Sequence, residues 1–119
     1  MNAKDDSKSL LPAMLGQGVT VVNWSLVYEV KPGNMLLVRE ILICNTTGAA
    51  INFGFMVAPS SYSPVAGLNQ PYVQVVKAVA DMTSDIIDLV TAVSSSFKLW
   101  VYGSADDLNY HISGVPVQR

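Results

Sequence analysis

Cys44 is the one cysteine of this sequence and His111 its one histidine. A lone thiol forms no disulfide within its own chain. A transition-metal site needs His, Cys or carboxylates in clusters, so no metal is expected. Cys44 sits inside an apolar run and reads as a buried structural thiol, not a nucleophile. His111 follows Tyr110 near the end of the chain and reads as a surface or interface residue, not a general base. The serines gather in turns (Ser60-Ser61, Ser94-Ser95-Ser96), and the glycines are isolated punctuation that forms no phosphate-cradling loop. Asp81, Asp85 and Asp88 come nearest to a carboxylate cluster. Strand alternation turns Asp88 away from the other two, so they are expected to be solvated acids instead of calcium ligands. The sequence thus predicts no catalytic residue, no cofactor and no enzyme activity.

Charge is scarce as well. Only 13% of residues are charged, with seven Lys and Arg against nine Asp and Glu and a net charge of −2. Nucleic-acid readers cluster basic residues, and no such cluster exists here. Intrinsic disorder is excluded by the opposite balance, because 50% of the residues are hydrophobic. A long apolar run is also missing. Leu10 to Leu15 is too short and wrongly flanked for a secretory signal or a membrane span, which predicts assembly in a cytoplasm and no membrane partner. Without a secretory signal, Asn45-Thr46-Thr47 is a turn and not a glycosylation site. A chain of 119 residues closes one domain. So much hydrophobic sequence exceeds what a free domain of that size can hide, and a partner surface is the expected destination of the surplus.

From Val19 onward the pattern is β. Leu26 to Val30 leads to a Lys31-Pro32-Gly33-Asn34 turn, with Pro setting the first corner and Gly-Asn supplying positive φ. Met35 to Cys44 is apolar on both faces except for Arg39 and Glu40, as in a central strand covered on both sides. Asn45 to Gly48 is a turn. Ile51, Phe53, Phe55 and Val57 then alternate with Asn52, Gly54, Met56 and Ala58, and residues 60–71 form a loop. Tyr72 to Ala80 is a valine-rich strand. Asp81 to Val93 fits a helix or a strand, and its β-branched neighbours and the following serine break favour a strand in a hairpin. Phe97 to Tyr102 and Leu108 to Ile112 complete seven or eight short strands. The fold class is all-β: an antiparallel β-sandwich of jelly-roll type over residues 19–119, preceded by an extended arm over residues 1–18.

The candidate site is a contact surface. Leu10, Leu11, Met14 and Leu15 give the arm an apolar side that packs on its own domain or on a neighbouring chain. Trp100 and Tyr102 stand opposite Phe97, Leu99 and Val101. They look outward if that set fills the core, unless both faces of the sandwich are covered internally. Tyr62, Val65 and Leu68 put further apolar groups on the long loop.

Three stretches also carry a resemblance. The segment Leu26-Val27-Tyr28-Glu29-Val30-Lys31-Pro32-Gly33-Asn34, followed by Leu37 to Gly48 with its Cys44-Asn45-Thr46 ending, resembles small virion proteins of tailed bacteriophages. Those proteins have an extended strand, a Pro-Ala-Gly-Lys-like turn and a strand closing in Cys-Asn-Thr. Here the turn is Lys-Pro-Gly-Asn. Asp85 to Leu89 with Phe97 to Ser104, and Leu108 to Val115, are similar to the closing strands of that family. The resemblance spans residues 26–115 and omits the arm. It implies a β-sandwich that assembles on a virion as a trimer or ring, bound to the major capsid protein or other virion proteins. A capsid decoration or cement protein leads the expectations. A neck, tail, baseplate or fibre-root subunit is the structural alternative, and a carbohydrate-binding host-attachment module is the alternative of another class.

Overall fold

The computed structural model describes residues 13–118, and among them lie eight strands and no helix. The strands are β1 (Ala13–Val19), β2 (Asn23–Glu29), β3 (Asn34–Asn45), β4 (Ile51–Pro59), β5 (Val73–Val79), β6 (Thr83–Val93), β7 (Phe97–Gly103) and β8 (Leu108–Gln118). They form two antiparallel sheets of four strands, ordered β1-β8-β3-β6 (sheet I) and β2-β7-β4-β5 (sheet II). Strand β1 pairs with β8, β2 with β7 and β4 with β5, while β3 takes both β6 and β8. The chain is therefore a long two-stranded ribbon, closed at the β4–β5 loop and coiled on itself, which is the jelly roll.

Alternation along the strands fills the space between the sheets. Phe53, Phe55, Leu99 and Val101 from sheet II meet Leu36, Val38, Ile41, Ile43, Leu108 and Ile112 from sheet I, and all are buried. Each such side chain contributes about 1.5–3 kcal/mol by leaving water. Arg39 and Glu40 interrupt the alternation of β3 without breaking it. The register shifts between Val38 and Glu40 against both neighbours, so a bulge puts both charges in solvent and returns Ile41 to the core.

Three corners take the ribbon from one sheet to the other, and each keeps backbone groups paired. At the first, buried Thr20 lies beside the β7–β8 crossing. Its Oγ1 donates to Ala105 O (2.9 Å) and accepts from Leu108 N (3.3 Å), while its N and O bond Leu108 O and Asp107 N. At the second, Val30 N donates to Phe97 O and Val30 O accepts from Ser96 N. At the third, buried Asn45 donates to Ala49 O (2.9 Å) and Val79 O (3.0 Å) and accepts from Thr47 N (3.0 Å). Asp107, Ser96 and Met82 adopt positive φ in these crossings. The Lys31–Asn34 turn lies where the sequence predicts, with Asn34 N bonded to Lys31 O, but only Gly33 takes positive φ (+83°); Asn34, expected to share it, already belongs to β3.

Four expectations are corrected. The arm over residues 1–18 does not extend that far: residues 13–18 belong to β1, because Gly16 faces inward where a Cβ would strike Val27, and Gly18 lies against the Tyr110 ring. Leu15 is half-buried against the core and is not free for a partner. Strands β6 and β7 form no hairpin, since Ser94 to Ser96 carry the chain from sheet I to sheet II. Strand β3 is central but covered on one face only, which leaves Cys44 half-buried and Leu42 exposed.

The first corner supplies a test. Thr20→Val keeps the shape and removes the hydroxyl, stranding Leu108 N and Ala105 O. Urea denaturation is expected to show a loss of about 2 kcal/mol with an unchanged m-value.

Candidate functional site

The two outer faces of the sandwich differ, and the β4–β5 loop makes the difference. Residues 60–72 fold back over sheet II. Trp24 Nε1 donates to Gly67 O (2.8 Å), and Gly67 N donates to Asn23 Oδ1 (3.1 Å). The Gln70 side chain holds the loop's interior: it accepts from Tyr62 Oη and Val65 N (3.0 Å each) and donates to Val65 O (3.0 Å) and Gly67 O (2.6 Å). Two aromatic pairs stiffen the arrangement. Trp24 and Tyr102 have ring centroids 5.2 Å apart, and Tyr62 meets Tyr72 edge-on at 4.8 Å. Beneath the loop, Gly54 has no side chain, and a Cβ there would press on Leu68, Trp24 and Tyr102. Strand β4 is consequently buried on both faces from Phe53 to Ala58.

This cover corrects the aromatic patch. Trp100, Tyr102, Tyr62 and Leu68 are half-buried by their own chain instead of standing free, while Val65 on the loop stays exposed. The loop satisfies Trp24, whose Nε1 bonds Gly67 O, but gives Trp100 Nε1 no partner. Of the predicted contact residues, Met14 is exposed, while Leu10 and Leu11 lie outside the described residues.

Among the described residues, no segment covers the outer face of sheet I. One row across it runs Gln17, His111, Leu42, Ile86, the next Val19, Asn109, Cys44, Ser84, and a third Met14, Ser113, Glu40, Asp88. Ile86 is 55% and Val90 74% exposed on β6, with Leu42, Val19, Met14 and Val117 exposed alongside. A shallow concavity of about 560 Å³ lies among Gln17, Val19, Leu42, Cys44, Asn109 and His111. Ser84 Oγ donates to Cys44 Sγ at 3.3 Å. Four strands at about 4.8 Å and eleven residues at about 3.4 Å give the face roughly 700 Å².

Sequence reasoning missed Ile86, Val90 and Leu42. The signal was present in β6, where Ile86 and Val90 face one way while Ile87 and Leu89 face the other. A strand apolar on both faces looks like an unresolved helix when read alone.

Electrostatics add one feature, at the rim. Lys77 of β5 and Asp85 of β6 pair at 3.0 Å across the two sheets. Hydrogen bonds from Lys77 and from Ile86 N hold the Asp85 carboxyl below the usual carboxylate range. Among the described residues, no three His, Cys, Asp or Glu side chains converge on a point that could hold a metal. The arrangement offers contact surface.

Neither models of protein families, nor curated proteins, nor solved structures give a match to this chain.

The loop's seat on sheet II is tested by Gly54→Val. The branched side chain displaces Leu68, so tryptophan emission shifts to the red and proteolysis within residues 60–71 accelerates, while the far-ultraviolet spectrum keeps its β form. Unchanged emission would show that the loop does not depend on this contact.

Proposed function

We propose that this protein is a non-enzymatic structural subunit that assembles through the outer face of sheet I, and that its setting is a virion. The observation that carries the reading is that face: among the described residues it leaves Ile86, Val90 and Leu42 uncovered, while the loop covers the centre of the other face and leaves only Leu26 and Val76 exposed on its edge strands. Its occupant is a second copy of this chain. Roughly 700 Å² per partner approaches the ~800 Å² per partner of a standard stable interface. The face also carries both signs of charge, with Arg39 at the bulge and Glu40 and Asp88 in the third row, so two copies can meet in a self-complementary way.

The virion setting is supported by the jelly roll, which recurs in viral capsid domains, together with the resemblance of residues 26–115 to phage virion proteins. Fold alone does not decide function. A decoration or cement protein is the most concrete form of the proposal. Oligomers bound at many symmetric points on the major capsid protein hold by avidity even when one contact is modest. A neck, tail, baseplate or fibre-root position uses the same face with fewer copies.

Sedimentation of the purified chain tests the assembly. The wild type is expected to form a defined oligomer in which a thiol reagent reaches Cys44 slowly. Ile86→Lys with Val90→Lys should yield a monomer whose stability changes by no more than about 0.5 kcal/mol for each substitution and whose Cys44 is labelled readily. A wild type that stays a solitary monomer sinks the proposal. On purified particles, hundreds of copies would mean the shell and three to twelve the tail axis.

A further inference from the structure

The two buried side-chain polar atoms that lack a partner among the described residues are Trp100 Nε1 and Ser60 Oγ. Both residues line one concavity of about 430 Å³, between the first half of the β4–β5 loop and the outer face of sheet II. That volume falls in the range of small-ligand sites, roughly 300–1,000 Å³. An indole N–H can only donate, and leaving it buried and unpaired carries its full desolvation penalty. Trp24, the neighbouring indole, shows the usual solution, with its Nε1 on Gly67 O. Both unpaired donors thus sit behind the wall of this recess, shut off from solvent, where an occupant that reached them would relieve the penalty.

The remaining walls define its chemistry. Trp24 and Tyr62 also line the recess, and their contacts with Tyr102 and Tyr72 hold both rings in place. Lys98 supplies a cation. It has no ion pair among the described residues, although Glu29 is its register partner on β2. A purely apolar ligand would leave the donors unpaired, and a small inorganic anion would leave the rings uncovered. An occupant with several oxygen acceptors, a flat C–H face and one negative charge meets every wall.

We propose that this recess binds a carboxylated saccharide of the uronic or sialic acid type. Its ring covers an aromatic wall, its oxygens accept from Trp100 Nε1 and Ser60 Oγ, and its carboxylate pairs with Lys98. Both donors are shielded from solvent in the free chain, so the sugar reaches them when the stretch 61–66 moves outward. That stretch is tied within the loop by Gln70 and to the strand end by Tyr62 N on Pro59 O. The site lies on the sheet opposite the proposed assembly face and does not rest on that proposal.

Saturation-transfer NMR and tryptophan fluorescence titration test it, with N-acetylneuraminic acid, a galacturonate disaccharide and lactose as probes at millimolar concentrations. The wild type is expected to bind the two acidic sugars in preference to lactose, with a change in tryptophan emission. Trp100→Phe keeps the ring and removes the donor, so binding should weaken about tenfold. Lys98→Met should erase the preference for acidic over neutral sugar. The Ile86→Lys, Val90→Lys monomer should bind like the wild type, which separates this site from assembly. The assignment is overturned by no transfer to any sugar, by equal binding in Trp100→Phe, or by loss of binding in the monomer. A recess filled by ordered water alone would give the first of these results.

Discussion

Everything in this fold depends on the ribbon keeping its backbone partners while it turns from one sheet to the other. A strand that leaves a sheet abandons a row of N–H and C=O groups, and an abandoned pair inside the sandwich costs more than most contacts return. Here the two arms of the ribbon turn together at each corner. Thr20 bridges to the β7–β8 crossing, Val30 exchanges bonds with Ser96 and Phe97, and Asn45 reaches Val79. Thr20 and Asn45 are the two buried polar residues beside an otherwise hydrophobic core. Their placement at the corners shows why a chain so rich in apolar residues still needs a few polar ones inside.

Once the corners hold, the two outer faces are free to diverge. Sheet II is roofed by the loop that closes the ribbon, and the roof is fastened by indole, amide and aromatic contacts. Among the described residues, sheet I has no such cover and keeps Ile86, Val90 and Leu42 exposed. The same loop thus decides two things. It covers the centre of sheet II, leaving Leu26 and Val76 exposed on the two edge strands, and it creates a recess at its own edge. A module of this size can in this way present one surface for assembly and another for a small ligand.

Much of the fold was legible in the residues. Period-two alternation located β4 and β7, and the turn before β3 stands where predicted, with Gly33 at positive φ though not Asn34, because its φ requirements are local. What was not legible is which strands lie back to back. A three-residue serine break reads the same whether the next strand pairs with the last or crosses to the other sheet, since the difference rests on contacts far away in sequence. The site suffered from the same blindness. Trp100 and Tyr102 were read as outward because their own strand turns them away from the core, and nothing local reveals that residues 60–72 return to cover them. Leu15 was read as an arm residue because the glycines beside it suggested a hinge, where they serve close packing against Val27 and Tyr110.

The pairing of β1 with β8 has a consequence for how the chain comes into being. The first strand in the described chain to leave the ribosome takes its place beside the last one made. Sheet I can be completed only once β8 has been made, whereas β4 and β5, joined by one loop, can meet early. Pairing at such long range along the chain belongs to the slow class of small domains. Until β8 arrives, β1 waits as a short apolar strand with an open edge, the interval in which a nascent subunit is most exposed to pairing with the wrong neighbour.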